Sequence, residues 1–390
     1  VQGAEAVNVM APPWLIGCGT ALAALAMGYG MTAWLAVRRG IRPSRFAPAG
    51  APPVTLLKPL CGAEYSIYEC LRSFCEQDYP QFQIVFGVSE SDDPAVAVVR
   101  RLQREFPNRD LKIAIDGRRH GSSPKVSNLI NMMALARYDY LVISDSDVRV
   151  TRDYLARVVA PLRDPGVGIV TCGYRGWAHA GLWSLLGSMF INEWFTPSVY
   201  VAVMAGSRSF AFGATIAIRR HVLASIGGFM AIANQLADDY RLGELTRRMG
   251  LRTVLSDVVV ETCVDERNLG ELLRHELRWL RTIRAVRPVG HALCFITFGI
   301  PVAALGSLLA AGALPALVML AITAAARVML HATLRKPGSA LWHLLLLPLR
   351  DTLSFALWAW SFATRRVRWR DDHFQVTRDG SVHSVVRASQ

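Results

Sequence analysis

Residues 140–147 read Tyr140-Leu141-Val142-Ile143-Ser144-Asp145-Ser146-Asp147, an apolar run that ends in two carboxylates two positions apart. A short apolar run leading into a polar turn is the pattern of a buried strand. At its end Asp145 and Asp147 can converge on one divalent ion. Hard oxygen ligands suit Mg²⁺ or Mn²⁺, and these ions commonly also hold substrate phosphates. Alone the pattern is weak, because two aspartates in a turn are more often helix caps or solvent-facing groups.

Working outward, similar apolar runs recur at Val54–Pro59, 83–88, 111–115 and 168–172. Helical patterns lie between them at 65–76, Pro94–Glu105 and 124–136; Ser122 or Ser123 can cap the third, with Pro124 in its first turn. Strands alternating with helices predict an α/β domain with a mostly parallel sheet covered on both faces. Ligands of such sheets sit beyond the carboxyl ends of the strands, which puts residues 89–93 and 145–147 at the site. Asp92 and Asp93 follow another strand, Lys125 begins a helix, and Asp238-Asp239 opens a further helix predicted over 238–249. A nucleotide-sugar enzyme needs this combination: recognition of the base, a metal or cationic clamp for the diphosphate, and a carboxylate that deprotonates an acceptor hydroxyl. Each residue has a bland reading, Asp93 as a cap and Lys125 as a solvated side chain, but the set is harder to dismiss than its members.

The two ends of the chain are of another kind. Residues 13–37 carry no charge and can cross a hydrocarbon layer of about 30 Å at about 1.5 Å per residue. Positive charges follow this run, whereas a secretory signal would have them before it, so an uncleaved anchor with an external N-terminus is expected. Residues 41–53 read as a linker and 54–270 as the catalytic domain. A basic amphipathic helix is expected over 271–287 at the membrane surface, a membrane region over 289–363, and a polar tail over 370–390. Within the membrane region, 289–311 and 314–330 read as two spans joined by a tight turn, with Arg327 able to snorkel to the interface. The stretch 341–362 is ambiguous because Pro348, Arg350 and Asp351 fall near its middle; an interruption there would leave the C-terminus cytoplasmic. Between 177 and 212 the periodicity is poor and aromatic residues are frequent, which fits either a packed helix or an acceptor surface near lipid.

The net charge of +13 could suggest a nucleic-acid partner. Its placement argues against one: Arg38, Arg39, Arg42 and Arg45, then Arg274, Arg278, Arg281, Arg284 and Arg287, then Arg365, Arg366, Arg368 and Arg370 flank the apolar segments. That is a juxtamembrane pattern suited to anionic lipid and cytoplasmic retention. The seven cysteines are scattered without metal-binding spacing and read as reduced thiols.

An ordered series of motifs carries a resemblance over nearly the whole chain. It runs through Leu56-Leu57-Lys58-Pro59-Leu60, Asp78-Tyr79-Pro80, Asp92-Asp93-Pro94-Ala95, Pro124-Lys125-Val126-Ser127-Asn128 and Asp145-Ser146-Asp147-Val148-Arg149-Val150. Ala237-Asp238-Asp239-Tyr240 and Arg278-Trp279 complete it. This series resembles the processive-type glycosyltransferases with a GT-A fold, and among them the ceramide glucosyltransferases and the related bacterial hopanoid-associated enzymes. The resemblance implies nucleotide recognition by Asp92, a diphosphate and Mg²⁺ or Mn²⁺ site at Asp145 and Asp147, and a general base at Asp239. It places Lys125, Arg278, Trp279 and His275 around the donor; His275 stands where the family usually has Gln or Arg.

The implied reaction is inverting transfer of a sugar from a UDP-sugar to a hydroxyl of a membrane lipid, at the cytoplasmic face of the inner membrane. N-acetylglucosamine and a hopanoid polyol are favoured, on the similarity to the bacterial branch and because Asp147 stands where the animal ceramide branch often has glycine. Glucose transfer to ceramide is the alternative. A processive polysaccharide synthase would need more crossing helices, and a non-catalytic lipid-binding scaffold would need no aligned acidic set.

Overall fold

The computed structural model describes residues 11–41, 50–62, 66–179, 181–335, 340–363, 366–369, 372–376 and 382–384. Arg42, Arg45, Tyr65, Arg365 and Arg370, cited above, lie outside them.

The chain begins with helix α1 (Pro13–Arg39), 27 residues and about 40 Å long. Strands and helices then alternate as β1 (Val54–Pro59), α2 (Ile67–Cys75), β2 (Phe82–Val88), α3 (Pro94–Glu105), β3 (Asp110–Ile115), α4 (Pro124–Met132) and β4 (Tyr140–Ile143). Every residue of β1 and β2 is buried, as expected for strands covered on both faces. The caps were legible: Asp93 Oδ1 accepts from Ala95 N at 2.8 Å, and Ser123 Oγ accepts from Val126 N at 3.3 Å. α4 stops at Met132, short of the expected 136, because residues 133–136 turn back toward β4.

The second half adds β5 (Val148–Arg149), α5 (Tyr154–Val159), β6 (Val167–Ala178), α6 (Gly181–Phe190), α7 (Thr196–Met204), β7 (Ile216–Arg219), α8 (Arg220–Ser225), α9 (Asp238–Arg248) and β8 (Arg252–Val264). The eight strands form one sheet in the order β3-β2-β1-β4-β7-β6-β8-β5. β1 to β4 are parallel, and β7 runs antiparallel to both β4 and β6. One apolar core fills the face under α2, α3 and α5, and a second fills the face under α4, α8 and α9. β6 runs six residues past the expected 168–172, to Ala178, because it pairs along its length with the 13-residue β8. Trp177 therefore belongs to the sheet, and the rest of the aromatic stretch is α6, a π-helical turn over Ile191–Phe195, α7, and an irregular segment that carries Phe210 and Phe212.

The last third holds α10 (Leu269–Val286), α11 (Pro288–Leu293), α12 (Gly299–Leu309), α13 (Leu314–Leu334) and α14 (Leu346–Trp360). α1 and α13 are long and apolar enough to cross a membrane, and the pair formed by residues 288–297 and α12, bent by 75°, supplies a third span if it is counted as one. The expected straight span over 289–311 is thus broken near Phe298. α1 packs on α12 through backbone contact at glycine: a Cβ on Gly19 would lie 2.4 Å from Gly306 O.

Two expectations for the membrane region need correction. Arg327 does not snorkel. It is buried and bonded by Glu193 at 2.8 Å and by Asp351 at 2.8 and 3.0 Å, and Glu193 also holds His331 at 2.7 Å. Pro348 does not interrupt a helix, since α14 begins at Leu346 and its first turn needs no N–H from residue 348. The irregularity falls earlier, in a 3₁₀ turn over Leu341–Leu345. Arg350, inside α14, is neutralised by Glu276 of α10 at 2.8 Å and supported by Ser354. β9 (Arg366–Trp369), just before the expected polar tail, and β10 (Asp372–Val376) and β11 (Val382–Ser384) within it pair antiparallel.

Candidate active site

β4 ends at Ile143 and the chain turns through Asp145-Ser146-Asp147 into β5, which pairs with β8 by Val148 opposite Thr262. The turn is held on both sides. Asp147 Oδ2 accepts from Thr262 Oγ1 at 2.5 Å and its carbonyl from Cys263 N at 2.9 Å. Beneath the turn the ammonium of Lys58, fully buried at the end of β1, donates to the carbonyl of Asp145 and lies 3.8 Å over the Phe74 ring. Burial pushes the Lys58 ammonium down to about 8.

Lys125, in the first turn of α4, reaches across to Asp145 Oδ1 at 2.5 Å and Asp238 Oδ2 at 3.8 Å. Burial alone would depress this ammonium, but Asp145 and Asp238 outweigh it and hold Lys125 above its ordinary value. Asp239 opens α9; its Oδ2 accepts from Gly213 N at 2.8 Å and its Oδ1 from Tyr240 N at 2.7 Å. Burial, then the adjacent Asp238, raises the Asp239 carboxyl from 3.8 to about 6, with Lys125 and the two N–H donors pulling the other way. The cluster closes around Gly213: a Cβ there would lie 3.4 Å from each of Asp145 Oδ2, Asp239 Oδ2 and Lys125 Nζ. A side chain at this position would fill the space the three groups share.

Burial and then the charge of Asp145 also raise the Asp147 carboxyl. Two oxygen ligands that repel each other beside one threonine hydroxyl fit a hard divalent cation. Among the described residues no three His, Cys, Asp or Glu side chains converge as a complete metal cage. Asp145 and Asp147 could therefore hold Mg²⁺ or Mn²⁺ with water or substrate phosphate supplying the other ligands.

One wall of the site is aromatic. Tyr174 of β6 sits 4.8 Å from Phe195, 6.2 Å from Phe212 and 6.1 Å from Trp279 of α10, ring to ring. Burial, then the charges of Asp239, Asp145 and Asp147, hold its phenol well above the ordinary range. From Trp279 the packing continues through Phe190 to Trp194, whose ring stacks on Phe298 at the bend before α12. The π-helical turn lets one segment face two ways: Phe195 joins the wall of the site while Glu193 reaches Arg327 in α13.

The expected site residues thus fall into three groups. Asp145, Asp147, Lys125 and Asp239 come together. Trp279, with His275 5.1 Å away on the same helix and Arg278 next to it, flanks them. Asp92 is exposed in the turn after β2, two strands from β4 and so about 10 Å along the sheet, outside the cluster at Gly213. Its neighbour Asp93 does the structural work, capping α3 and accepting from Gly62 N at 2.9 Å. Sequence reasoning missed Lys58 as an internal cation, Thr262 and Gly213. The signal for Lys58 was a lysine closing an otherwise apolar strand.

A mixed sheet whose strand ends carry such a carboxylate cluster has the GT-A-like fold of nucleotide-sugar transferases. The comparison that carries this is a mannosyltransferase from Pyrobaculum calidifontis, solved with GDP-mannose and Mn²⁺. It superposes with a TM-score of 0.58 at 27% identity, over 88% of this chain and 97% of that one. In sequence, ceramide glucosyltransferase 1 of Caenorhabditis elegans is 26% identical over 53% of this chain and 44% of its own length. A ceramide glucosyltransferase of Komagataella phaffii is 36% identical over 30% of this chain and 23% of its own. The chain matches about half the length of the two worm ceramide glucosyltransferases. The profile of glycosyl transferase family 21 matches residues 18–382, and the chain belongs to that family.

Proposed function

We propose that the protein transfers a sugar, with inversion, from a nucleotide diphosphate sugar to a hydroxyl of a membrane lipid. The observation that carries this is the convergence of Lys125, Asp145 and Asp239 on the space beside Gly213, backed by an aromatic wall that continues into the membrane helices. Asp239 is the general base: its carboxyl near 6 is ionised at cytoplasmic pH yet basic enough to take a hydroxyl proton. Lys125, with Arg278, offsets charge on the departing diphosphate, and Asp92 contacts the base. A divalent ion on Asp145 and Asp147 would supply further charge stabilisation for that leaving group. The lipid hydroxyl reaches Asp239 along Tyr174, Phe195 and Trp279, so its tail stays with the membrane helices.

Among acceptors, the relatives' names favour ceramide with glucose as the sugar. The hopanoid reading with N-acetylglucosamine rests on the resemblance to the bacterial branch and on Asp147, and none of the relatives named above supports it. Mass spectrometry decides between them: membranes containing both lipids are incubated with the purified protein and UDP-glucose, UDP-N-acetylglucosamine or GDP-mannose. Hexosylceramide formed only with UDP-glucose supports the first reading, and a glycosylated hopanoid supports the second. No glycolipid from any pair would overturn the proposed reaction.

We propose further that the catalytic domain faces the cytoplasm, with the N-terminus outside and three crossings, so that the chain returns to the cytoplasm after α13. A cysteine replacing Gly312, in the turn between α12 and α13, then reacts with an impermeant maleimide in intact cells. Protection of that cysteine, with labelling only after lysis, would reverse the topology.

A further inference from the structure

β8 leaves the sheet beside the carboxylate turn, and four residues past Thr262 it presents Glu266 to α10. Glu266 is buried, its side chain 8% exposed, and its Oε1 accepts from His275 Nδ1 at 2.5 Å, while the His275 side chain is 36% exposed. The other carboxylate oxygen, Oε2, is buried with no hydrogen-bond partner among the described residues. Its space is made by α6: a Cβ on Gly187 would come within 2.8 Å of Oε2. A buried carboxylate that makes a single side-chain bond is a poor structural element, since the desolvation of its second oxygen is left uncompensated. Its one evident use is the histidine. The nearby acid, Glu276, is engaged by Arg350 through both of its oxygens.

We propose that Glu266 is a positioning residue for the transfer reaction, holding His275 so that Nε2 faces the sugar diphosphate. The bond to Glu266 keeps the proton on Nδ1 and leaves Nε2 as the ring atom for substrate, the way a carboxylate behind a histidine fixes its tautomer and orientation elsewhere. His275 packs edge-on against Trp279, one helical turn along, Trp279 packs against Tyr174, and Tyr174 packs edge-on against Phe212 beside Gly213. A series of ring contacts, from His275 to Trp279 to Tyr174 to Phe212, thus links the imidazole to the residue before Gly213. The idea rests on the reading of that cluster as the donor site and adds to it how the histidine is aimed.

The test is a double-mutant cycle in the full-length, membrane-reconstituted protein: wild type, Glu266→Gln, His275→Ala and the double variant. UDP-glucose, UDP-N-acetylglucosamine and GDP-mannose are each tried as donor. Glu266→Gln should lower kcat/KM for the donor by about 10- to 100-fold, as loss of such a supporting carboxylate typically does, with the acceptor KM within about twofold. In the His275→Ala background the same change should cost nothing further. Multiplying losses, a shift in acceptor KM in place of the donor parameters, or an impaired Glu266→Gln beside an unimpaired His275→Ala would each overturn the proposal. If Glu266→Gln does not fold, Glu266→Asp takes its place in the cycle with the same expectations, because it keeps the charge but falls short of Nδ1. Failure of the wild type to bind or turn over any of the three donors would count against the reading of the site itself, and is seen in a separate arm.

Discussion

Replacing Asp239 by Asn keeps the size of the side chain and removes its ability to take a proton. The surroundings set what else changes. Gly213 N and Tyr240 N donate to opposite oxygens of Asp239, at 2.8 and 2.7 Å, whereas an asparagine offers one oxygen and one amide, so one N–H loses its acceptor. The ionised wild-type side chain carries a net penalty that already includes both bonds: a carboxyl raised from 3.8 to about 6 in the folded state destabilises the fold by about 3 kcal/mol once ionised. The sign follows from the raised value. Below pH 4 the group is protonated in both states and there is no penalty; wild-type stability falls as pH rises from about 4 to 6 and is level above that. Below pH 4 the protonated wild-type carboxyl, like the amide, keeps one full acceptor, and the two proteins should be about equally stable; above pH 7 the variant escapes the ionisation penalty and should be the more stable, by up to about 3 kcal/mol. Turnover tells a different story, with kcat reduced by about 10²- to 10⁴-fold while donor affinity survives. Wild-type kcat/KM should fall tenfold per pH unit below about pH 6, and the residual activity of the variant should lack that limb. The assay is glycolipid formation between pH 5 and 8 beside nucleotide-sugar binding and thermal unfolding. Normal turnover by Asp239→Asn, or a dead Asp238→Asn with binding intact, would refute the placement of the base.

Three further outcomes are expected. Asp145→Ala should nearly abolish transfer and Asp147→Ala reduce it severely; wild-type activity should vanish in excess EDTA and return with Mn²⁺ or Mg²⁺, and full activity of both variants in EDTA would remove the metal from the scheme. Gly19→Leu should separate α1 from α12, since even a Cβ there lies 2.4 Å from Gly306 O; thermal unfolding in detergent should show a loss of about 3 kcal/mol or more, where Gly17→Leu, with open space around it, shows little. Arg350→Met should cost about 3–5 kcal/mol because it strands the buried Glu276, and Glu276→Leu added to it should restore much of that; equal damage in the single and double variants would show that the pair is not the reason.

Much of the architecture could be read from the chain because it follows from local rules. The apolar runs of β1, β2 and β4 are buried on both faces, so composition alone marks them. Asp93 and Ser123 cap the helices they precede, and 27 residues of α1 without an acidic group can serve only an apolar environment. The carboxylate pair at the end of β4 was legible for the same reason, since a strand that stops at charge must stop at an edge. What the sequence could not supply was every relation made across distance. β7 and β8 were missed; β8 alternates between buried and partly buried positions and its role as the partner of β6 depends on pairing between segments more than 80 residues apart. Arg327 and Arg350 read as awkward charges in apolar segments, because a charge is tolerable there only through partners, and Glu193 and Glu276 come from elements far along the chain. Sequence fixes which groups carry charge and where local structure begins. Only the tertiary fold decides how those groups meet, because charge pairing and desolvation are set by neighbours in space: the chain put Lys125, Asp145 and Asp239 in one site, but not around the missing side chain of Gly213.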